Sequence, residues 1–167
     1  MRDHRANPAL ETKIKQAKEL KKIISGLKSR GKKIVFTNGC FDLLHYGHVK
    51  YLESARSKGD ILVVAVNSDA SVRRIKGRRR PIVSQKHRLK VVAALASVDY
   101  VVAFREDTPF KTIKLLQPDI LIKGADWNKK DISGAGFVLS YAGSVRTIPL
   151  VKGSSTTNLI KKIAQAG

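Results

Sequence analysis

The sequence has little of what cross-linked or metal-built sites are made from. It holds one cysteine in 167 residues. That excludes an internal disulfide framework and a Cys-rich four-ligand zinc site, and it fits a reducing cytoplasm. Acidic residues are scarce, with 13 Asp and Glu against 33 Lys and Arg, for a net charge of +20. The longest apolar runs, such as ILVVAV from Ile61 to Val66, are far too short to cross a bilayer, so no membrane insertion is expected. The opening MRDHRANPALETK has no apolar core, so no secretory signal is expected either. Neither G-x-G-x-x-G nor G-x-x-x-x-G-K-[ST] occurs, which removes the two familiar glycine-rich phosphate loops.

What remains is an ordinary soluble composition, 43% hydrophobic and 28% charged, with enough chain for one domain and a real core. The positive field concentrates anionic ligands, nucleotides and sugar phosphates included, and nucleic acid or membrane surfaces as well. The basic residues are spread along the chain, with one dense cluster, KGRRR (Lys76 to Arg80). Most of them read as solvated surface. A nucleic-acid-binding domain would interleave aromatics with the basic residues, whereas aromatics make up only 6% and do not cluster with them. No specific nucleic-acid partner is therefore expected.

Residues 1–9 read as a polar tail. Leu10, Ile14, Ala17, Leu20, Ile24 and Leu27 recur at spacings of three or four, which predicts one amphipathic helix ending near Gly31 and packing on the body. Residues 1–31 thus form a tail and helix, and 32–167 the main domain. Strand-like runs then alternate with helical ones. KIVFTN, DILVVAVNSD, DYVVAF, PDILIKG and SVRTIPL read as strands. HVKYLESARSKG, QKHRLKVVAALASV, PFKTIKLL (capped by Thr108) and SSTTNLIKKIAQ read as helices. Near-continuous apolar strands separated by helices predict an α/β fold, a Rossmann-like doubly wound five-stranded parallel sheet that binds ligands outside the carboxyl ends of its strands.

The segment TNGCFDLLHYGH follows the first strand. His45 and His48 flank Gly47 at the mouth of a helix starting near His48. Its unpaired N–H groups suit a phosphate, and a glycine lets that phosphate approach between the rings. Both imidazoles can then donate to charge growing on a phosphoryl group. A helical zinc pair would need His at i and i+4 plus a third ligand, which this spacing does not supply. Spacing alone leaves a Cys40–His nucleophile pair open, but a thiol just after a buried strand is more commonly structural.

GCFDLLHYGH resembles the signature of the HxGH nucleotidyltransferases, the cytidylyltransferase-like superfamily. GHVKYLESARSKGDILVVAVNSDASV, RPIVSQKHRLKVVAALASVDYVV, PDILIKGADW and SSTTNLIKKI extend that likeness from about Lys33 to Ile163, towards the heptose 1-phosphate adenylyltransferase branch. Many members of that branch carry a sugar kinase ahead of this domain, so the chain looks like a stand-alone form. The resemblance implies that His45 and His48 stabilise a pentavalent transition state at the ATP α-phosphorus. It implies a nucleotide site formed by Thr37, Asn38, Gly39, Cys40, Phe41, Arg88, Lys123, Gly124, Asp126, Ser155, Thr156 and Thr157. Arg88 would contact phosphate, Lys123, Gly124 and Asp126 would flank the nucleoside, and Ser155 to Thr157 would contact the β- and γ-phosphates. Asp42 would organise the sugar-phosphate side. Asn67 and Asp69 either form a turn or line the sugar pocket, and Lys50 either reaches a substrate phosphate or is solvated. Trp127 stands where branch members have tyrosine, and Arg78, Arg79 and Arg80 either close over triphosphate or are plain surface.

The implied reaction transfers AMP from ATP to a sugar 1-phosphate, with Mg²⁺ held mainly by substrate and water, in a cytoplasmic homodimer. Cytidylyltransferases for glycerol 3-phosphate or ethanolamine phosphate and FAD synthetases share the H-x-G-H and S-T-T elements. The glycerol family's usual R-T-x-G-I run, however, is replaced here by Val151-Lys152-Gly153-Ser154.

Overall fold

The computed structural model describes residues 8–151, 153 and 155–165. Residues 1–7 of the tail read over residues 1–9, and Lys152 and Ser154, lie outside the described residues, while Pro8 and Ala9 belong to the first helix.

The five apolar runs form strands β1 (Ile34–Gly39), β2 (Ile61–Asn67), β3 (Tyr100–Phe104), β4 (Ile120–Gly124) and β5 (Ser144–Ile148). They make one sheet in the order β3-β2-β1-β4-β5, and every neighbouring pair is parallel. Successive strand residues point to opposite faces, so the run around Val63 feeds two cores. Val35, Leu62, Val64 and Val66 pack on one face with Leu52, Ala55 and Val92. Ile34, Phe36, Val63 and Ala65 pack on the other with Leu20, Ile24 and Ile113. Both faces are covered, which explains why the strands read as continuously apolar rather than alternating.

The helices are α1 (Pro8–Lys13), α2 (Ala17–Lys28), α3 (Tyr46–Arg56), α4 (Asp69–Lys76), α5 (Gln85–Ala93), α6 (Phe110–Leu116), α7 (Ala135–Ser140) and α8 (Thr156–Gln165). Two differences from expectation have plain causes. The single N-terminal helix is broken, because Ile14 bridges to Val101 and the Lys15 amide donates to the Val101 carbonyl. Main-chain pairing with the edge strand takes the backbone groups a continuous helix would need. The segment after β2, read as a turn and a basic loop, instead forms α4, whose first turn is capped by Ser68 accepting from the Ser71 amide. At α6, Pro109 rather than Thr108 is the capping residue, and no side chain caps it.

Three of the few acidic residues secure strand starts. The carboxylates of Asp60, Asp99 and Asp119 accept from the amides of Lys33, Leu62 and Ile34. Each satisfies a donor that the parallel ladder leaves unpaired, and each therefore serves the sheet rather than the surface.

Candidate active site at the carboxyl ends of the strands

β1 sits at the centre of the sheet, and its two neighbours continue the chain in opposite directions, the arrangement that opens a crevice beyond its carboxyl end. The segment Cys40–His45 leaves β1 there and enters α3. Phe41 takes a left-handed φ of 47° and is 6% exposed, so its ring turns inward against His48, with centroids 5.5 Å apart. Its ring also lies 3.0 Å from where a Cβ on Gly39 would be, so a larger residue there would push on the Phe41 ring. The helix begins two residues earlier than expected. His45 is therefore its N-cap residue in extended conformation, and Gly47 lies buried within the first turn.

The two imidazoles lie with centroids 4.0 Å apart. Among the described residues, the Nδ1 atoms of both rings are buried and have no hydrogen-bond partner, as is Asn38 Oδ1. Burial pushes His45 below its ordinary value, and burial followed by the proximity of His45 pushes His48 down to about 4. Both rings are thus neutral near pH 7, each with one N–H to give. Buried polar atoms without partners are rare in folded proteins, and a cluster of them at a helix mouth fits a ligand that completes them.

Thr156 brings the S-T-T segment to this loop by donating its hydroxyl to the Leu43 carbonyl at 3.2 Å. Ser155 Oγ accepts from the Asn158 amide and caps α8, while Thr157 is exposed. On the other side, Lys123 at the end of β4 donates to the Asn38 carbonyl at 3.3 Å and lies 5.1 Å from the Trp127 ring centroid. Burial drives its ammonium down to about 8, partly opposed by the charges of Cys40 and Asp126. A Cβ on Gly124 would press on the Asp126 carboxylate and on Leu150, whose Cδ2 lies 3.1 Å away. Asp126 itself is exposed.

Several expected ligands have other partners. The Thr37 hydroxyl is fully buried and shares a 2.7 Å hydrogen bond with Tyr51, whose hydroxyl also donates to the Ile122 carbonyl. Only the Thr37 backbone remains near the crevice. Arg88 is not a phosphate ligand in this geometry. Its guanidinium is buried and donates to the carbonyls of Val83, Cys40 and Asn67 and to Asp69 Oδ1. Asp69 also accepts from the Gln85 amide, and the Asn67 side chain donates to Ser71 Oγ. Asp42 has a side chain with no exposure and accepts from Arg80 and from the amides of Ile82 and Val83. Burial alone would raise its pKa, but the Val83 and Ile82 amides and the Arg80 guanidinium outweigh burial and lower it. Lys50 is exposed and pairs with Glu53 along the outer face of α3 at 3.0 Å.

Burial raises the Cys40 thiol, against the pull of Lys76, Arg88 and Arg80. It is a partly exposed thiol rather than an activated nucleophile. Reading the sequence alone passed over Tyr51 and did not foresee the Arg80 pairing with Asp42. Tyr51 stands three residues after His48 on the same helix face, a signal that was available. Arg80 was visible only as one of a basic run.

Comparison with known proteins shows the family and the fold. The family model described as cytidylyltransferase-like matches residues 36–161. The "Bifunctional protein HldE" of Geotalea uraniireducens is 52% identical over 158 residues, covering 95% of this chain and 32% of that protein. The protein of the same name from Geobacter metallireducens is 53% identical over 156 residues, covering 93% and 32%. The chain thus spans about a third of the length of these curated relatives. Among solved structures, a lipopolysaccharide core biosynthesis protein from Thermoplasma volcanium is 30% identical with a TM-score of 0.61, covering 74% of this chain and 100% of that one. A pantoate-beta-alanine ligase from Francisella tularensis is 14% identical with a TM-score of 0.62, covering 91% and 78%, and shares the fold alone. With its five-stranded parallel sheet and paired histidines at the mouth of α3, the chain belongs to the cytidylyltransferase-like family of nucleotidyltransferases.

Proposed function

We propose that the chain transfers AMP from ATP to D-glycero-β-D-manno-heptose 1-phosphate, giving ADP-heptose and pyrophosphate for lipopolysaccharide or surface-glycan synthesis. A phosphate oxygen of the sugar 1-phosphate attacks the α-phosphorus in line, and the bond to the bridging oxygen of the leaving pyrophosphate breaks. The observation that carries this reading is the pair of close, mutually tilted, neutral histidines with unpartnered Nδ1 atoms, beside a capped helix start tied to the same loop. His45 and His48 donate to the oxygens of the pentavalent phosphorus, which gain charge as the nucleophile arrives. Backbone groups of Asn38 and Gly39 run along the phosphates, and the first turn of α8 at Thr156 and Thr157 receives the β- and γ-phosphates. Lys123 and Trp127 flank the nucleoside. Binding both substrates in line supplies much of the remaining rate. The heptose acceptor is supported by two relatives named HldE at about half identity, and by the Thermoplasma relative, named for lipopolysaccharide core biosynthesis.

Mg²⁺ enters with ATP and neutralises phosphate charge. Among the described residues no group of three or more His, Cys, Asp or Glu is arranged to hold a metal; in this reading the Mg²⁺ would be carried by the phosphates and water. No helix among the described residues is long and apolar enough to cross a membrane. A cytoplasmic homodimer completes the reading.

Pyrophosphate release measured with ATP, CTP and GTP against a panel of sugar 1-phosphates and glycerol 3-phosphate tests the assignment. ATP with the heptose 1-phosphate is expected to be the best pair. A preference for CTP with glycerol 3-phosphate would replace the heptose reading with the alcohol-phosphate one.

A further inference from the structure

Two buried, oppositely charged side chains in the crevice have no exposed surface to offer a substrate. The Asp42 and Arg88 side chains are both 0% exposed. Their partners converge on one short segment. Asp42 Oδ1 accepts from the Ile82 and Val83 amides, each at 2.8 Å, and Oδ2 pairs with Arg80. From the other end, Arg88 Nε donates to the Val83 carbonyl at 2.9 Å. The rest of the same guanidinium donates to the carbonyl of Cys40, just beyond β1, to that of Asn67, the last residue of β2, and to Asp69 Oδ1. Both main-chain groups of Val83 are thus held, the N–H by Asp42 and the C=O by Arg88.

Directly before this strap runs the basic turn 76–79, made of Lys76, the last residue of α4, and the three residues after it, all four exposed. Asp107, which pairs with Arg74, lies outside that turn. The turn leads straight into Arg80, which pairs with Asp42 in the loop leaving β1, so it departs from beside the carboxyl end of that strand.

We propose that Asp42 and Arg88 are positioning residues: they fasten residues 80–83 to the ends of β1 and β2, and so aim the basic turn 76–79 at the anionic substrate beside the histidines. This rests on the nucleotidyl-transfer reading above. A removed clamp leaves every substrate-facing charge in the chain but lets the turn drift, and displacements near 1 Å in a phosphoryl-transfer site are worth up to about a hundredfold.

A double-mutant cycle tests it. Asp42→Asn is combined with Lys76→Ala/Arg79→Ala, and kcat and KM are measured with Mg·ATP and the heptose 1-phosphate. Hydrogen exchange is followed at the Ile82 and Val83 amides. Asp42→Asn is expected to lower kcat/KM by about 10- to 100-fold and to speed exchange at both amides by at least about tenfold. In the background lacking Lys76 and Arg79 it should cost less than about threefold, because the charges it aims are gone. A full loss in that background would overturn the proposal, since it would mean that Asp42 acts on substrate directly. Fast exchange with unchanged kcat/KM would overturn it too. Arg80→Ala, which removes only the partly exposed member of the ion pair, serves if Asp42→Asn does not fold, with a smaller effect of the same pattern. Should wild-type protein release no pyrophosphate from that pair, the functional reading fails. The cycle is then run on Mg·ATP affinity alone, where the same non-additivity is expected and additive losses refute the clamp.

Discussion

Acidifying the ligand-free protein from pH 7.5 to 5 should weaken the fold through His48 in particular. Its imidazole is held at about 4 by burial, followed by the neighbouring His45, against an ordinary value of 6.5. The folded chain therefore refuses a proton that the unfolded chain accepts. The sign follows from that difference: no penalty exists above pH 6.5, and stability is lost as the pH falls from there towards 4. From this group alone the loss reaches about 2 kcal/mol by pH 5, or about 4–8 °C in Tm for a chain of this size. Carboxylates titrate in the same direction at lower pH, so the measurement is a difference. Urea midpoints of wild type and His48→Gln are compared at pH 7.5, 6.5, 5.5 and 5. The variant has no ring to protonate and should show a flatter profile, the two curves converging as the pH falls. Parallel curves would refute the reasoning, and so would an NMR titration placing the His48 ring near 6.5.

His48→Ala should lower kcat by about 10²-fold or more, because a donor aimed at the reacting phosphoryl group is lost; circular dichroism should remain native, and near-normal turnover would sink the assignment. Tyr51→Phe removes the hydroxyl that pairs with the buried Thr37 hydroxyl and donates to the Ile122 carbonyl, which should destabilise the protein by about 1–3 kcal/mol in denaturant unfolding. Gly59→Ala drives a Cβ to 2.7 Å from Val35 and 3.0 Å from the Lys33 carbonyl, for an expected loss of about 1–3 kcal/mol, read from the thermal midpoint. Trp127 is the chain's one tryptophan, and Lys123 beside it sheds its proton around pH 8. Its emission should therefore change between pH 7 and 9, and Lys123→Met should abolish the transition.

The sheet was legible in the sequence because burial on both faces writes apolar runs with no alternation, and Ile61–Asn67 is the plainest case. The histidine motif was legible because its glycine and its place after β1 are local features. What the sequence hid was pairing at a distance. α4 was missed because DASVRRIK buries only Ser71 and Val72, too few positions for a helical period to emerge. The break at Ile14 depends on a carbonyl of β3. Arg88 read as a phosphate ligand because a charged residue near an anion site invites that role. Its actual partners are mostly backbone carbonyls, which leave no mark on composition or spacing.

Those partners also bear on the order in which the molecule can be assembled. Arg88 reaches a carbonyl 48 residues back in the chain and another 21 residues back. Both contacts require loops to close before anything is gained from closing them. The crevice therefore cannot take shape with its first strand. A nascent or partly folded chain with β1 and β2 already paired still has nowhere for the guanidinium to insert until α5 docks. Nucleotide-binding competence should consequently arrive late in folding, as a sign that α5 has docked onto the ends of β1 and β2.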